Sequence, residues 1–497
     1  MNKTEILSSL SFGERIAEQE AKELEKYFVQ TDLWNRIFKG SVDIVRGPKG
    51  AGKSAIYSLL IQKKDDLKKR GIELIPAENP KGMPAFKDIV SHPPVSELEF
   101  VNLWKLYLLS LIAEMLRASE SNSTKGKQLI EVLENAKLLP REASLAGRLK
   151  TVYDYVKLWL RPEAVEGGLN FDSTTGLPNG VTGKITLREP SSKEIDLGYR
   201  SINGLLEDAD NALKQGNISV WLILDRLDVA FSESQELEKN ALRALFKAYL
   251  DMQGLEYINL KIFLRDDIWK RITADGFREA SHITKDENIY WTPDSLLNLV
   301  LKRLLNNAEL VTALNVDPDD ILNDIEKQRE FFYKVFPKQI DPGEKKPTTF
   351  DWMLTRTKDS LNDYPMPREL IHLLNESRAN ELKKLEVGQN GNVVDLISAS
   401  AIKDALPIVS KVRYEQTLLA EYPDKRTTLE ALRGQRTKHT IKTLASLWLL
   451  TEEASSAQAQ TIVDIGFFVK EGNSGNWTYW VPFLYRSALD MVQGSAD

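Results

Sequence analysis

Apolar residues along this chain fall into two kinds of run, and the two alternate. Short continuous runs read as buried strands: Val42-Asp43-Ile44-Val45, Ile72-Glu73-Leu74-Ile75-Pro76, Ser219-Val220-Trp221-Leu222-Ile223-Leu224-Asp225, Leu260-Lys261-Ile262-Phe263-Leu264 and Ile289-Tyr290-Trp291. A strand without a polar face must be covered on both sides, which is the condition of a parallel sheet flanked by helices. Between these runs apolar residues recur at helical spacing, over 55–61, 97–160, 199–214 and 295–305. Residues 12–40 read as a helical lead-in, with Ile16, Ala17, Ala21, Leu24 and Phe28 on one stripe. Strand and helix in alternation predict an α/β core.

Three segments break the alternation. Residues 84–96 contain Pro84, Pro93 and Pro94 and read as loop. Residues 166–192, punctuated by glycines, read as a surface hairpin or loop inserted into the core. Residues 386–497 read as a helical module closing in a hairpin, with strands at 465–470 and 477–481 around the turn 471–476. The most apolar helix, 100–116, carries Asn102, Lys105 and Glu114, so its uncharged run is too short for a bilayer and it is expected as a core helix.

At 497 residues the chain has length for about three domains. It has no cysteine, which excludes thiolate metal sites and cysteine nucleophiles and fits a cytoplasmic setting. Its four histidines are scattered, so a zinc site is not expected. The N-terminus lacks the apolar core of a signal peptide. With net charge −6, any contact with nucleic acid requires a local basic patch. One such stretch exists. Residues 425–442 hold Lys425, Arg426, Arg433, Arg436, Lys438 and Lys442 against the single acid Glu430; a solvated helix face or a protein surface is the competing expectation.

Between the first strand and the first helix lies Gly47-Pro48-Lys49-Gly50-Ala51-Gly52-Lys53-Ser54, which fits G-x-x-x-x-G-K-[ST] and is followed by Ala55. The physical content of this P-loop is a set of backbone N–H groups, released by glycine, that closes around a triphosphate at a helix N-terminus. Lys53 is placed to reach the β- and γ-phosphates, and the Ser54 hydroxyl to ligate Mg²⁺. The run at 219–225 ends in Asp225, as expected of a strand presenting a carboxylate to Mg²⁺, the Walker B position. Asp228 follows as a candidate for orienting or deprotonating the attacking water, with a salt bridge or helix cap as its plain alternative. The strand at 260–264 runs into Arg265, Asp266 and Asp267; Arg265 points either at the γ-phosphate or at one of those acids. The 172 residues separating Lys53 from Asp225 (225 − 53) require insertions.

Together GPKGAGKS, VWLILDRLD and FLRDD resemble the STAND branch of the AAA+ ATPases, including its NACHT-type and KAP-like members. That branch often has L-D-G-L-D-E where this chain has Leu224-Asp225-Arg226-Leu227-Asp228-Val229; Arg226 replaces a small residue and Val229 the final acid. GKSAIY, LDRLD, FLRDD and Met366-Pro367-Arg368-Glu369-Leu370 also look similar to bacterial and cyanobacterial stand-alone P-loop ATPases often found beside anti-phage defence genes. The resemblance implies a P-loop parallel-sheet core, a helical lid and a C-terminal winged-helix-like module. The expected division is a lead-in at 1–40, an ATPase core at 41–291 with an insertion at about 84–200, a lid at 292–385 and the C-terminal module at 386–497. It also implies a sensor role for Arg265 and for Arg368, the latter from the lid helix, and Arg271 or Arg278 as an arginine acting in trans.

The function expected is a slow Mg-ATP-hydrolysing switch, read by a protein effector or by a homo-oligomer, in bacterial anti-phage defence. The alternatives are a DNA-binding loader like the origin-recognition ATPases, reaching DNA through 425–442 and the winged helix, or a pseudo-ATPase scaffold that binds nucleotide without turnover.

Overall fold

The computed structural model describes residues 3–14, 20, 23–77, 96–119, 123–140, 143–160, 185–227, 235–274, 276–388, 395–473 and 476–496. The chain forms two compact units. One is built from Gln30–Pro48 and Gly52–Ile289, the other from Met1–Val29, Lys49–Ala51 and Tyr290–Asp497.

The first unit holds α1 (Asp32–Lys39), β1 (Ile44–Gly47), α2 (Lys53–Gln62), β2 (Ile72–Pro76), α3 (Glu97–Ala118), α4 (Thr124–Asn135), α5 (Leu145–Leu160), α6 (Ile202–Gly216), β3 (Ser219–Leu224), α7 (Gln235–Met252), β4 (Ile258–Arg265), α8 (Asp266–Ala274) and β5 (Asp286–Asn288). The five strands form one parallel sheet in the order β2-β3-β4-β1-β5. Every neighbouring pair is parallel, so each strand must return by a crossover, and the helices of those crossovers cover the faces. This is why β3 has no polar alternation: Leu222, Ile223 and Leu224 are all fully buried. The helix α3 is core, as its pattern predicts. Even Lys105 is buried on it, held by Asn203 and Asp251. No described helix is long and apolar enough to cross a membrane.

Several expected boundaries shift. The lead-in is not one helix in its described part: Leu24–Tyr27 stops at an extended Phe28, and α1 starts afresh at Thr31, whose hydroxyl accepts from the Trp34 N–H. The last strand is Asp286–Asn288, upstream of the apolar run at 289–291, and it is the polar edge of the sheet. The glycine-rich segment is described only from Ile185, where Ile185–Thr186 pairs in parallel with Arg200–Ser201. That end is therefore not a hairpin. The predicted loop at 84–96 lies outside the described residues apart from Ser96, which caps α3.

The second unit holds α9 (Pro293–Leu305), α10 (Ile325–Val335), α11 (Thr349–Thr357), α12 (Pro367–Glu386) and α13 (Ala399–Arg413). Thr292 caps α9 in a reciprocal capping box with Ser295, with proline in the first turn. Then follow β6 (Arg436–Thr440), α14 (Ile441–Trp448), α15 (Glu452–Asp464), β7 (Val469–Glu471), β8 (Thr478–Trp480) and β9 (Val492–Ser495). β8 pairs antiparallel with both β6 and β7, and β9 runs parallel to β6. Strand, two helices and an antiparallel hairpin make a winged-helix-like arrangement. One apolar core, including Leu370, Leu374, Ile402, Phe468, Tyr479 and Leu484, runs through this unit.

Candidate nucleotide site

The C-terminal ends of parallel strands are where an α/β sheet exposes its chemistry. Here β1 ends at Gly47, paired in register with Arg265 at the end of β4, and β3 ends just before Asp225. The P-loop therefore leaves the sheet beside the strand that carries Arg265, Asp266 and Asp267.

The loop itself is shaped by two glycines. Gly50 has φ +85 and Gly52 φ +105, in the left-handed region that side chains disfavour. At Gly52 conformation alone demands glycine, because a Cβ there would meet nothing within 4 Å. At Gly50 space matters too: a Cβ would lie 3.1 Å from Cβ of Arg368 and 3.5 Å from an oxygen of Glu369. Gly52 is also the N-cap of α2 and supplies no side-chain cap, so the first-turn N–H groups of Lys53, Ser54 and Ala55 face the loop. Lys53 Nζ lies over the loop, 2.8 Å from the Gly47 carbonyl and 2.9 Å from that of Pro48.

Beyond the ends of β3 and β4 stand the acids of the first unit. Asp225 is 5% exposed. Arg226, immediately after it, sits at φ +57. That backbone state costs a non-glycine residue about 1–2 kcal/mol. Arg265 is held by Asp267 in a two-point ion pair, Nε to Oδ1 and Nη2 to Oδ2, both 2.9 Å. Of the two acids the sequence offered Arg265, Asp267 is the one it bonds. Asp266 faces the other way. Burial raises its pKa, against its hydrogen bond from Asn288 and the fields of Arg46, Lys53 and Lys270, and its Oδ1 is buried with no hydrogen-bond partner among the described residues. Asp266 fits no motif; its signal in the sequence is the doubled acid that follows Arg265. Asp228 lies outside the described residues. Arg271 pairs with Glu238, and Arg278 is exposed on a short 3₁₀ turn.

Lys49–Ala51, the tip of the loop, belongs by its contacts to the second unit. The Ala51 carbonyl accepts from Trp291 Nε1 at 2.9 Å, and Lys49 forms an ion pair with Glu421. Gly50 abuts Met366, Arg368 and Glu369 at the start of α12. Arg368 thus stands at the loop, and its Nε is buried without a partner among the described residues. Glu369 in turn pairs with Arg413 at 2.9 Å, and Arg413 with Asp359 at 3.2 Å. Burial works against the Arg413 charge, but Glu369, Tyr485 and Asp359 outweigh it and raise its pKa. Trp291, Glu369 and Glu421 carry no motif, and only the fold brings them to the loop.

These residues fit a nucleoside triphosphate with Mg²⁺. Left-handed glycines, an uncapped helix start and an ammonium form an anion cradle. Ser54 and Asp225 are the groups that would hold Mg²⁺ if it binds. No group of three carboxylates or imidazoles that could hold a metal occurs among the described residues. A P-loop Mg²⁺ needs none, since phosphates and water fill most of its shell.

The fold and loop define the class: an α/β P-loop NTPase fold with a helical C-terminal module. No protein-family model matches the chain, and no curated protein matches it. The solved structures similar to it include three from one organism. The Aeropyrum pernix ORC1 protein in complex with DNA aligns with TM-score 0.35 at 10% identity, over 92% of this chain and 91% of that one. The Aeropyrum pernix ORC2 protein in its ADPNP-ADP complexes aligns with TM-score 0.29 at 12% identity, over 95% and 94%. The ADP form of ORC2 gives 0.29 and 11%, over 94% and 89%. At these scores no residue, ligand or role is carried from them to this chain.

Proposed function

We propose that the chain is an AAA+-type molecular switch that binds and slowly hydrolyses Mg-ATP at residues 47–54 and reads its nucleotide through Arg368. The observation that carries this reading is the packing of Arg368 against Gly50: the first turn of α12 is built onto the phosphate loop. Lys53 and the N–H groups of α2 hold the phosphates, Ser54 and Asp225 the Mg²⁺. When bound, Mg²⁺ supplies charge neutralisation of the transferred phosphoryl group. For the water, Asp228 and Asp266 are both candidates. Asp266 is favoured by its orphaned oxygen, its raised pKa and its place in the field of Lys53. Asp266→Asn is expected to keep ATP binding and slow hydrolysis by about 10²-fold or more, the size of a lost general base. Phosphate release measured in parallel for Asp228→Asn assigns the role; an unchanged rate in Asp266→Asn removes it from the mechanism.

Arg368→Ala is expected to retain most ATP affinity, because the loop and Asp225 remain, and to shrink the conformational difference between the ATP- and ADP-bound chain. A ligand shifts a conformational equilibrium only through its differential affinity for the two states. Limited proteolysis or small-angle scattering in both nucleotide states reads that difference. A full parental difference in the variant moves the sensor role to Arg265, which first has to leave Asp267.

The partner effector or oligomer, and the anti-phage setting, rest on the resemblance of the motifs. Phage challenge of cells carrying the parent chain or Lys53→Ala tests the setting. The loader reading is favoured by the winged-helix-like arrangement. Its usual reading element for duplex DNA is a helix in the major groove. Here α15, Glu452–Asp464, opens on two glutamates and contains no lysine or arginine.

A further inference from the structure

The basic stretch 425–442 does not form one helix face. Lys425 pairs with Asp424, and Arg433 with Glu430 and Asp490. The rest of its charge is ordered by β6. Thr437 and His439 are buried, so Arg436, Lys438 and Thr440 share the outward face of the C-terminal sheet. On β8, Tyr479 is buried, which turns Thr478 and Trp480 to that same face, and Trp480 stands opposite Lys438.

Two more cations adjoin it, one from beyond the hairpin and one from α11. Arg486 is 8% exposed and lies over Trp480 at 5.0 Å and over Phe483 at 3.8 Å. Arg356, on α11, lies over Phe483 at 4.5 Å and over Trp352 at 4.8 Å. Trp352, Arg356, Phe483, Arg486 and Trp480 make one ladder of rings and guanidinium groups. Arg436 joins it through Gln493, whose carbonyl accepts from Arg436 and whose side-chain oxygen accepts from Arg486.

Neither ladder arginine forms an ion pair with a carboxylate among the described residues. Arg486 is satisfied by the Val481 carbonyl and Gln493, both neutral. Arg356 bonds the Thr355 hydroxyl. The nearest acid acting on it, Asp341, is taken by Lys403. Burial and the neighbouring Arg356 push Arg486 down to about 10, which marks a cation lacking its counter-ion. On the sheet face one acid, Glu471, reaches a cation, at 4.0 Å from Lys438. A face with three accessible cations around the buried Arg486, one acid and the partly exposed Trp480 ring has the composition that holds a phosphodiester chain and stacks its bases.

We infer that the outward face of this sheet, with Arg436, Lys438 and Trp480 beside Arg356 and Arg486, binds single-stranded nucleic acid. Duplex is the weaker partner for two reasons. Stacking needs unpaired bases, and the helix that would enter a duplex groove is acidic. An acidic peptide would use the cations and leave the rings idle. The inference requires no nucleotide in the P-loop, so it stands or falls apart from the ATP reading.

The test is fluorescence anisotropy on the full chain with a labelled oligothymidylate of about 16 nucleotides, the upper range for one binding module. The same strand in duplex form, and polyglutamate as competitor, are the other arms. The parent is expected to bind the single strand more tightly than the duplex, with a negative salt slope and weak displacement by polyglutamate. R436Q/K438Q is expected to bind about 20-fold less tightly at about 0.1 M salt and to flatten the slope by about 1.4, from two phosphate contacts at about 0.7 each. Thermal unfolding checks that this variant is folded. E452Q/E453Q on α15 is expected to leave binding unchanged. Absence of binding at low salt, a preference for duplex, displacement by polyglutamate as strong as by the oligonucleotide, parental affinity in R436Q/K438Q, or a change caused by the α15 variant each overturns the inference.

Discussion

Lys53→Ala is expected to weaken Mg-ATP binding by at least about 100-fold. Lys53 follows a glycine at φ +105 and begins α2. Its ammonium lies within 3 Å of two carbonyls of the loop, at the point where a phosphate would sit. Two charge-assisted hydrogen bonds lost at about 1.5–3 kcal/mol each amount to about 3 kcal/mol or more, and each 1.4 kcal/mol is tenfold in affinity. The fold should tolerate the change, because the Lys53 side chain bonds loop carbonyls and is no part of the apolar core. Isothermal titration of parent and variant with ATP and Mg²⁺ reads the loss. An affinity within about threefold of the parent contradicts the site.

The second large effect concerns stability and lies in the middle of the same sheet, toward the N-terminal end of β1. Lys261 on β4 is 1% exposed. Its ammonium donates to Asp43 Oδ1 at 2.6 Å and to the Val42 carbonyl at 2.7 Å, and it lies 4.6 Å over the Trp221 ring. Asp43 also accepts from the Tyr249 hydroxyl at 3.0 Å. Burial lowers the Lys261 pKa, against the pull of Asp43; burial and Asp43 both raise that of Tyr249. Lys261→Met leaves Asp43 buried with its main cation gone. The cost is about 3–5 kcal/mol. At roughly 2–4 °C per kcal/mol for a domain of this size, melting should fall by about 6–20 °C. D43L/K261M, which removes both charges, is expected to recover most of that loss. Thermal melts of the three chains separate the outcomes. A single variant within about 1 kcal/mol of the parent shows that the pair does not hold the sheet.

How far the sequence led depended on whether a feature was local. The P-loop was legible because its chemistry is contiguous: eight residues carry the turn, the ammonium and the hydroxyl. Strand β3 was legible because a fully buried run ends in an acid. Pairing was less legible. Arg265 had two acids within reach in sequence, and only backbone direction at the start of α8 gives it Asp267 and turns Asp266 away. The sequence shows the stretch 425–442 as a run of cations without a face; β6 alternates part of it, with Thr437 and His439 inward and Arg436 and Lys438 outward. Lys261 reads as an interruption in an apolar strand; its partner Asp43 lies 218 residues away. Glu369, Glu421 and Trp291 reach the loop through tertiary packing that no periodicity encodes.

The central claim is that one nucleotide engages both the loop and the first turn of α12. Hydrogen exchange of the full chain, with and without Mg-ATP, tests it most directly. The account predicts slower exchange of the amides at 47–56 and, in the same experiment, at 366–372. Lys53→Ala should abolish both effects. Protection of neither segment, or of the loop with 366–372 unchanged, contradicts it.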